Sequence, residues 1–330
     1  MNKGVAITTL AALAAGLCAS PTAARDTPPV AAGARATGMA APAATSTAAD
    51  TPEADLALRP MDPRMGVDVL VDGAGSYRFL VDSGASRTVV SRALASRLGL
   101  KDAGKVDLHS VAGESEVDSV DIGKLELGGV TTHPIQAPVL DAGNIGGPAI
   151  LGIDALEGKK VVIDLAAHRM TIAKSTRYVA PASDGEIVVT ARRRFGQLIL
   201  ADADINGMRV DAVIDSGSEA TIGNPALEAR LTARSRAKAI PITVVDVAGR
   251  VADARLVDLP ELHVGDLHLH NVPVAFTDAH AFHQFGLIDK PALLLGMDVL
   301  HAFRRVSIDF ASRSVRFLVE DRGAVRLAAR

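Results

Sequence analysis

Four short landmarks in one half of this 330-residue chain recur in the same order in the other half. Phe79-Leu80-Val81-Asp82-Ser83-Gly84-Ala85-Ser86 is answered by Ala212-Val213-Ile214-Asp215-Ser216-Gly217-Ser218-Glu219. Downstream, Val111-Ala112-Gly113 is answered by Val247-Ala248-Gly249, and Ala149-Ile150-Leu151-Gly152-Ile153-Asp154-Ala155-Leu156 by Leu293-Leu294-Leu295-Gly296-Met297-Asp298-Val299-Leu300. Last, Val161-Val162-Ile163-Asp164-Leu165 is answered by Val306-Ser307-Ile308-Asp309-Phe310. A single matched triplet carries little weight. Four in the same order describe a duplicated unit, which restricts the chain to two similar lobes.

The local patterns around the landmarks are those of strands. Residues 67–71 and 77–81 are apolar runs separated by Asp72-Gly73-Ala74-Gly75-Ser76, a hairpin signal, and in the second half Asn206-Gly207 separates two further runs. Each Asp-Ser-Gly phrase follows the second strand of its hairpin. A β-branched run ending in a small-residue turn delivers a carboxylate into a cleft, and two such carboxylates face to face can share a proton and divide acid and base roles. Short helices are expected over 91–98 and 224–231, and at the starts of 152–156 and 296–303. Asp154 and Asp298 fall near those starts, where acidic side chains favour exposed backbone amides. Asp164 and Asp309 precede polar turns and read as turn residues. No glycine-rich phosphate loop or Gly-Lys-Ser/Thr phrase is present, which argues against a nucleotide fold.

The ends divide the chain further. Residues 1–24 read as a secretory leader, with Lys3 ahead of an apolar stretch too short for a bilayer span, so the periplasm or the exterior is the expected destination. Residues 25–55, rich in Ala, Pro and Thr, read as a disordered tether. An N-terminal lobe over 56–178, a linker with a lead-in strand over 179–197 and a C-terminal lobe over 198–330 complete the division. The one cysteine, Cys18, lies in the leader, so the mature chain has neither a disulfide nor thiol chemistry. A formal charge of −3, no Trp and only Tyr77 and Tyr178 give little for nucleic acid to bind. No later segment has the character of a membrane helix.

At this point the chain resembles the aspartic peptidases, in particular their retropepsin-like branch found among exported bacterial proteins. The resemblance rests on Val81-Asp82-Ser83-Gly84-Ala85 and Ile214-Asp215-Ser216-Gly217-Ser218, each with Ile150-Leu151-Gly152 or Leu294-Leu295-Gly296 downstream. It implies an all-β fold: two retropepsin-like β-barrel lobes related by internal pseudo-two-fold symmetry, each with a short helix. It further implies that Asp82 and Asp215 are the catalytic pair, holding one water, and that Ser83 and Ser216 cross-link the two active loops. Gly84 and Gly217 allow the tight turn, Ala85 and Ser218 fill the next small position, and Leu151, Gly152, Leu295 and Gly296 pack beside the loops. Val111, Ala112 and Gly113, with Val247, Ala248 and Gly249, mark flap hairpins over the cleft; neither contains Tyr, unlike the principal flap of the large pepsin-like enzymes. The implied substrate is an extended polypeptide, cut internally without a cofactor by a monomer whose lobes pair within the chain.

Other readings stay open beside this one. A non-catalytic peptide-binding protein could keep the same duplicated fold, and the two units could be homodimerising half-enzymes. Histidines from His263 to His283, with His109, His133 and His301, raise metal binding. Without a His-Glu-x-x-His helix or a cysteine set, exposed strand and loop histidines are the preferred reading, and no metal is expected.

Overall fold

Alternating burial sets the strands. Val67, Val69 and Val71 are fully buried while Asp68 and Leu70 turn to the other face of Arg64–Val71, the period of two that a half-buried strand demands. The computed structural model describes residues 6–7, 12–13, 52–61, 63–156, 158–175, 182, 186–194, 197–232, 239–309, 312–319 and 325–326. The expected leader and tether lie almost wholly outside these residues, and the expected linker lies partly outside them. Within residues 1–24, Ala6–Ile7 pairs with Thr243 and Val244, and Ala12–Leu13 with His109 and Ser110.

The fold is predominantly β, with two β-rich lobes and short helices. In the C-terminal lobe the ladder runs Gln197–Ile205, Met208–Ile214, Ala292–Leu295, Thr221–Gly223, Leu267–Phe276, Val251–Val264 and returns to Gln197–Ile205. The return rests on two residue pairs, Ala203 with Val264 and Asp204 with His263, and it closes a barrel. The N-terminal lobe follows the same route through Arg64–Val71, Ser76–Val81, Ala149–Leu151, Val89–Ser91, Ile135–Leu140, Gly113–Ile122 and Lys101–Ser110. Among the described residues no ladder pair returns that path to its start, so hydrogen bonds close a barrel in one lobe rather than the expected two.

Between the lobes lies a sheet that the sequence reading did not assemble. Its order is Glu186–Arg194, Ser314–Leu318, Arg305–Asp309, Lys159–Asp164, Arg169–Lys174 and Pro52–Ala57, three strands from each half. The fourth landmark pairs with its own copy at the centre, antiparallel: Val161 opposite Ile308, Val162 opposite Ser307 and Ile163 opposite Val306. In the repeat, Val161 corresponds to Val306 and Ile163 to Ile308, so the register is self-complementary, as a two-fold axis requires. Pro52–Ala57 overlaps the end of the segment expected to carry no strand. Ala54, Leu56 and Leu58 are buried there, and that apolar alternation supplies the face the edge strand buries.

The helices follow their caps. Ser91 Oγ accepts from the Leu94 amide at 3.1 Å to start Arg92–Leu98, and Gly99, left-handed at φ 60°, ends it. In the second lobe Asn224 Oδ1 accepts from the Leu227 amide at 2.9 Å, with Pro225 at the first helical position of Pro225–Thr232.

Candidate active site

Asp82 and Asp215 each follow the last residue of a strand, where a neighbouring parallel strand takes the backbone amide. The Asp82 amide donates to the Leu151 carbonyl at 3.1 Å and the Asp215 amide to the Leu295 carbonyl at 3.0 Å. The third landmark thus holds the first in place. A Cβ at Gly152 would lie 2.7 Å from the Thr88 amide nitrogen and one at Gly296 2.5 Å from the Ala220 carbonyl oxygen, so the apolar-Gly segments press directly on the backbone that leaves each Asp-Ser-Gly loop.

The two loops lock each other. Ser83 Oγ donates to the Ile214 carbonyl and accepts from the Ser216 amide, both at 3.1 Å. Reciprocally, Ser216 Oγ donates to the Val81 carbonyl at 3.0 Å and accepts from the Ser83 amide at 2.9 Å. Each glycine of the turn faces the acid of the opposite lobe. A Cβ at Gly84 would stand 2.5 Å from Asp215 Oδ1, and one at Gly217 would be closer still to Asp82. Only a residue without a side chain permits that approach.

Both carboxyls are buried and similarly held. Asp82 Oδ1 accepts from the Gly84 and Ala85 amides at 2.7 and 3.0 Å, and Asp215 Oδ1 from the Gly217 and Ser218 amides, both at 3.1 Å. Each Oδ2 is buried and has no hydrogen-bond partner outside the pair. Met65, Val81, Ile214 and Met297 line an apolar pocket beside the loops. Burial pushes the Asp82 carboxyl up to about 6, against the pull of its loop amides and of the Arg64 guanidinium. Burial pushes Asp215 well above the carboxylate range, and the neighbouring Asp82 charge pushes it further. An acid pair in this condition keeps a proton where isolated carboxyls would have lost theirs.

The Val-Ala-Gly segments lie at hairpin tips, and the tips are exchanged between lobes. Val111 packs among Val213, Ile222, Phe282 and Leu294 of the C-terminal lobe, and Val247 among Leu80, Ala85, Val89 and Ile150 of the N-terminal lobe. Gly113, at φ 123°, and Gly249, at φ 78°, provide the backbone turns that L side chains resist.

Several residues that hold this arrangement were not singled out from the sequence. Asp246, fully buried, accepts from the Ala248 and Arg250 amides of its own turn at 2.9 and 2.8 Å. Its other oxygen accepts from Ser110 Oγ at 2.5 Å and from the Ala112 amide at 3.2 Å, clasping one Val-Ala-Gly hairpin tip to the other. Arg250 adds bonds to the Glu114 and Gly113 carbonyls at 3.0 and 2.6 Å. Behind the loops, Asp154 and Asp298 do more than cap their helices. Asp154 accepts from Thr88 Oγ1 at 2.7 Å and Asp298 from Thr221 Oγ1 at 2.7 Å, tying the short helix to the strand after each active loop. Arg64 lies buried near the pair, with Nη2 3.7 Å from Glu219 Oε1 across the lobes. The legible signals were an Asp opening a turn in Asp246-Val247-Ala248-Gly249 and a Thr at matched positions after both phrases. Nothing local marked Arg64, whose neighbours come from the other lobe.

The model of a family described as aspartyl protease matches the chain twice, over residues 67–155 and 201–299. The chain belongs to this aspartyl protease family. The two matches cover both Asp-Ser-Gly loops, both Val-Ala-Gly hairpin tips and both apolar-Gly strands, so each lobe carries the family's domain. No curated protein matches the chain.

Proposed function

We propose that the chain is an aspartic endopeptidase in which Asp82 and Asp215 activate one water against an internal peptide bond. The observation that supports this most is the pair itself: two buried carboxyls, each with one oxygen fixed by its loop amides and the other left free, held together by the reciprocal Ser83 and Ser216 bonds. Between its two ionisations the pair holds one proton. The ionised carboxylate takes a proton from the water while its protonated partner donates to the scissile carbonyl oxygen, giving a tetrahedral intermediate. Collapse breaks the C–N bond as the leaving nitrogen receives a proton from the pair, and no acyl-enzyme forms. On this reading an extended polypeptide enters when the Val-Ala-Gly hairpins part, and pairs with their strand edges. We also propose export, from the leader-like character of residues 1–24.

One observation favours a second reading, a catalytically silent peptide-binding protein: Val111 and Val247 are buried in opposite lobes, and Asp246 ties the two hairpin tips together. Incubation of the mature protein with a mixed peptide library in H2(18)O separates the two. Hydrolysis by the pair puts one label into each new C-terminal carboxylate, and Asp82→Asn or Asp215→Asn lowers the rate by at least about 100-fold. Peptide binding without cleavage between pH 3 and 7 would instead establish the silent protein.

A further inference from the structure

The barrel of the C-terminal lobe closes on two residue pairs, and at that closure five metal-ligating side chains share one face of three strands. Asp204 is paired with His263, His263 with His268, and Glu261 with His270. Glu261, His263 and His268 can each aim one ligand atom so that all three lie within 4.8 Å of one another.

The details are those of a ligand set with its outer support. Glu261 Oε1 lies 3.1 Å from His263 Nε2 and 3.0 Å from His268 Nδ1, close to the spacing of ligand atoms around a tetrahedral ion with bonds of about 2.0 to 2.2 Å. His263 Nδ1 is 3.2 Å from Asp204 Oδ2. A metal-bound imidazole characteristically gives its other nitrogen to a carboxylate, which fixes the tautomer and turns the free nitrogen toward the metal. That second nitrogen, His263 Nε2, is buried and faces Glu261 Oε1 at 3.1 Å. A buried imidazole nitrogen, a carboxylate oxygen and a second imidazole nitrogen converging on one point are what a cation would satisfy. His268 is half-exposed and leaves the position open to solvent, and His270 Nε2 stands 4.0 Å from the same Glu261 oxygen as a fourth ligand within reach. Two imidazoles and a carboxylate suit Zn2+ and its first-row neighbours rather than Ca2+ or Mg2+.

We propose that Glu261, His263 and His268 bind a divalent transition metal such as Zn2+, with Asp204 orienting His263, and that the ion staples the closure of the C-terminal barrel. The flap cluster His109, Glu114 and His280 is the weaker site, because His109 Nδ1 and His280 Nε2 already hydrogen-bond each other at 2.8 Å.

The test uses untagged mature protein stripped with a chelator, titrated with Zn2+ by calorimetry at pH 7.5 and with Co2+ followed by visible absorption. One equivalent of Zn2+ should bind, with the intense Co2+ bands of a tetrahedral site and a raised melting temperature. His268→Gln, at a half-exposed position that should leave folding intact, should weaken binding by more than about 100-fold, and Asp204→Asn by about 10- to 100-fold. His280→Gln should leave it unchanged. Absence of stoichiometric binding, binding that survives His268→Gln, or binding lost in His280→Gln would each overturn the proposal.

Discussion

At the scale of single residues, the acid pair makes the protein sensitive to pH in a direction opposite to that of a salt-bridged carboxylate. The Asp82 carboxyl ionises at about 6 in the folded protein against 3.8 as its ordinary value, so across that interval the native state binds more protons than the unfolded chain. Its contribution to stability is full below about pH 4 and is lost as pH rises through 6; Asp215, shifted further upward, extends the loss to higher pH. Melting temperatures of the wild type should therefore fall between pH 4 and 6. Asp82→Asn, which cannot ionise, should flatten that fall and should not lower the melting temperature at pH 7. Scanning calorimetry of both proteins across the range is the check, and a wild-type melting temperature that rose over this interval would contradict the buried, proton-sharing pair.

At the scale of elements, the two Val-Ala-Gly hairpin tips are held together by Asp246, by Arg250 and by the burial of Val111 and Val247. Asp246 takes bonds from its own turn and from Ser110 and Ala112 of the other lobe, so Asp246→Asn leaves an amide where an acceptor is required. Removing a partner from a buried bond of this kind costs about 1–3 kcal/mol. Amide hydrogen exchange at 110–113 and 246–250 should accelerate in that variant while exchange in the six-stranded sheet stays as it was. The strands, hairpins and caps around these flaps were legible because their causes are local: alternation in Val67, Val69 and Val71, the Asn206-Gly207 turn, and Ser91 and Asn224 ahead of their helices. The clasp was not, because Asp246 meets Ser110 from the other half of the chain, and no periodicity within either half encodes that meeting.

At the scale of the molecule, the repeat made two lobes readable but not the sheet that joins them. Val161-Val162-Ile163 and Val306-Ser307-Ile308 each read as an ordinary strand; that they are each other's partners follows from symmetry, which only the assembled fold reveals. Likewise the family resemblance implied twin barrels, whereas among the described residues the ladder closes a ring where Ala203 and Asp204 reach Val264 and His263. Because the central pairing is satisfied within one chain, the protein should sediment at the mass of a single chain at micromolar concentration. Analytical ultracentrifugation of the mature form tests this, and a dimer mass would return the two lobes to intermolecular pairing.

The two copies are nonetheless not identical, and the difference lies beside the acids. Arg64 meets Glu219, while the position that matches Glu219 in the first phrase is Ser86, which offers a cation no charge. A groove with true two-fold symmetry shows the same walls to a peptide read from either end. A guanidinium matched on one side only removes that equivalence, so under the endopeptidase reading proposed above the amino and carboxyl ends of a bound chain would meet different neighbours.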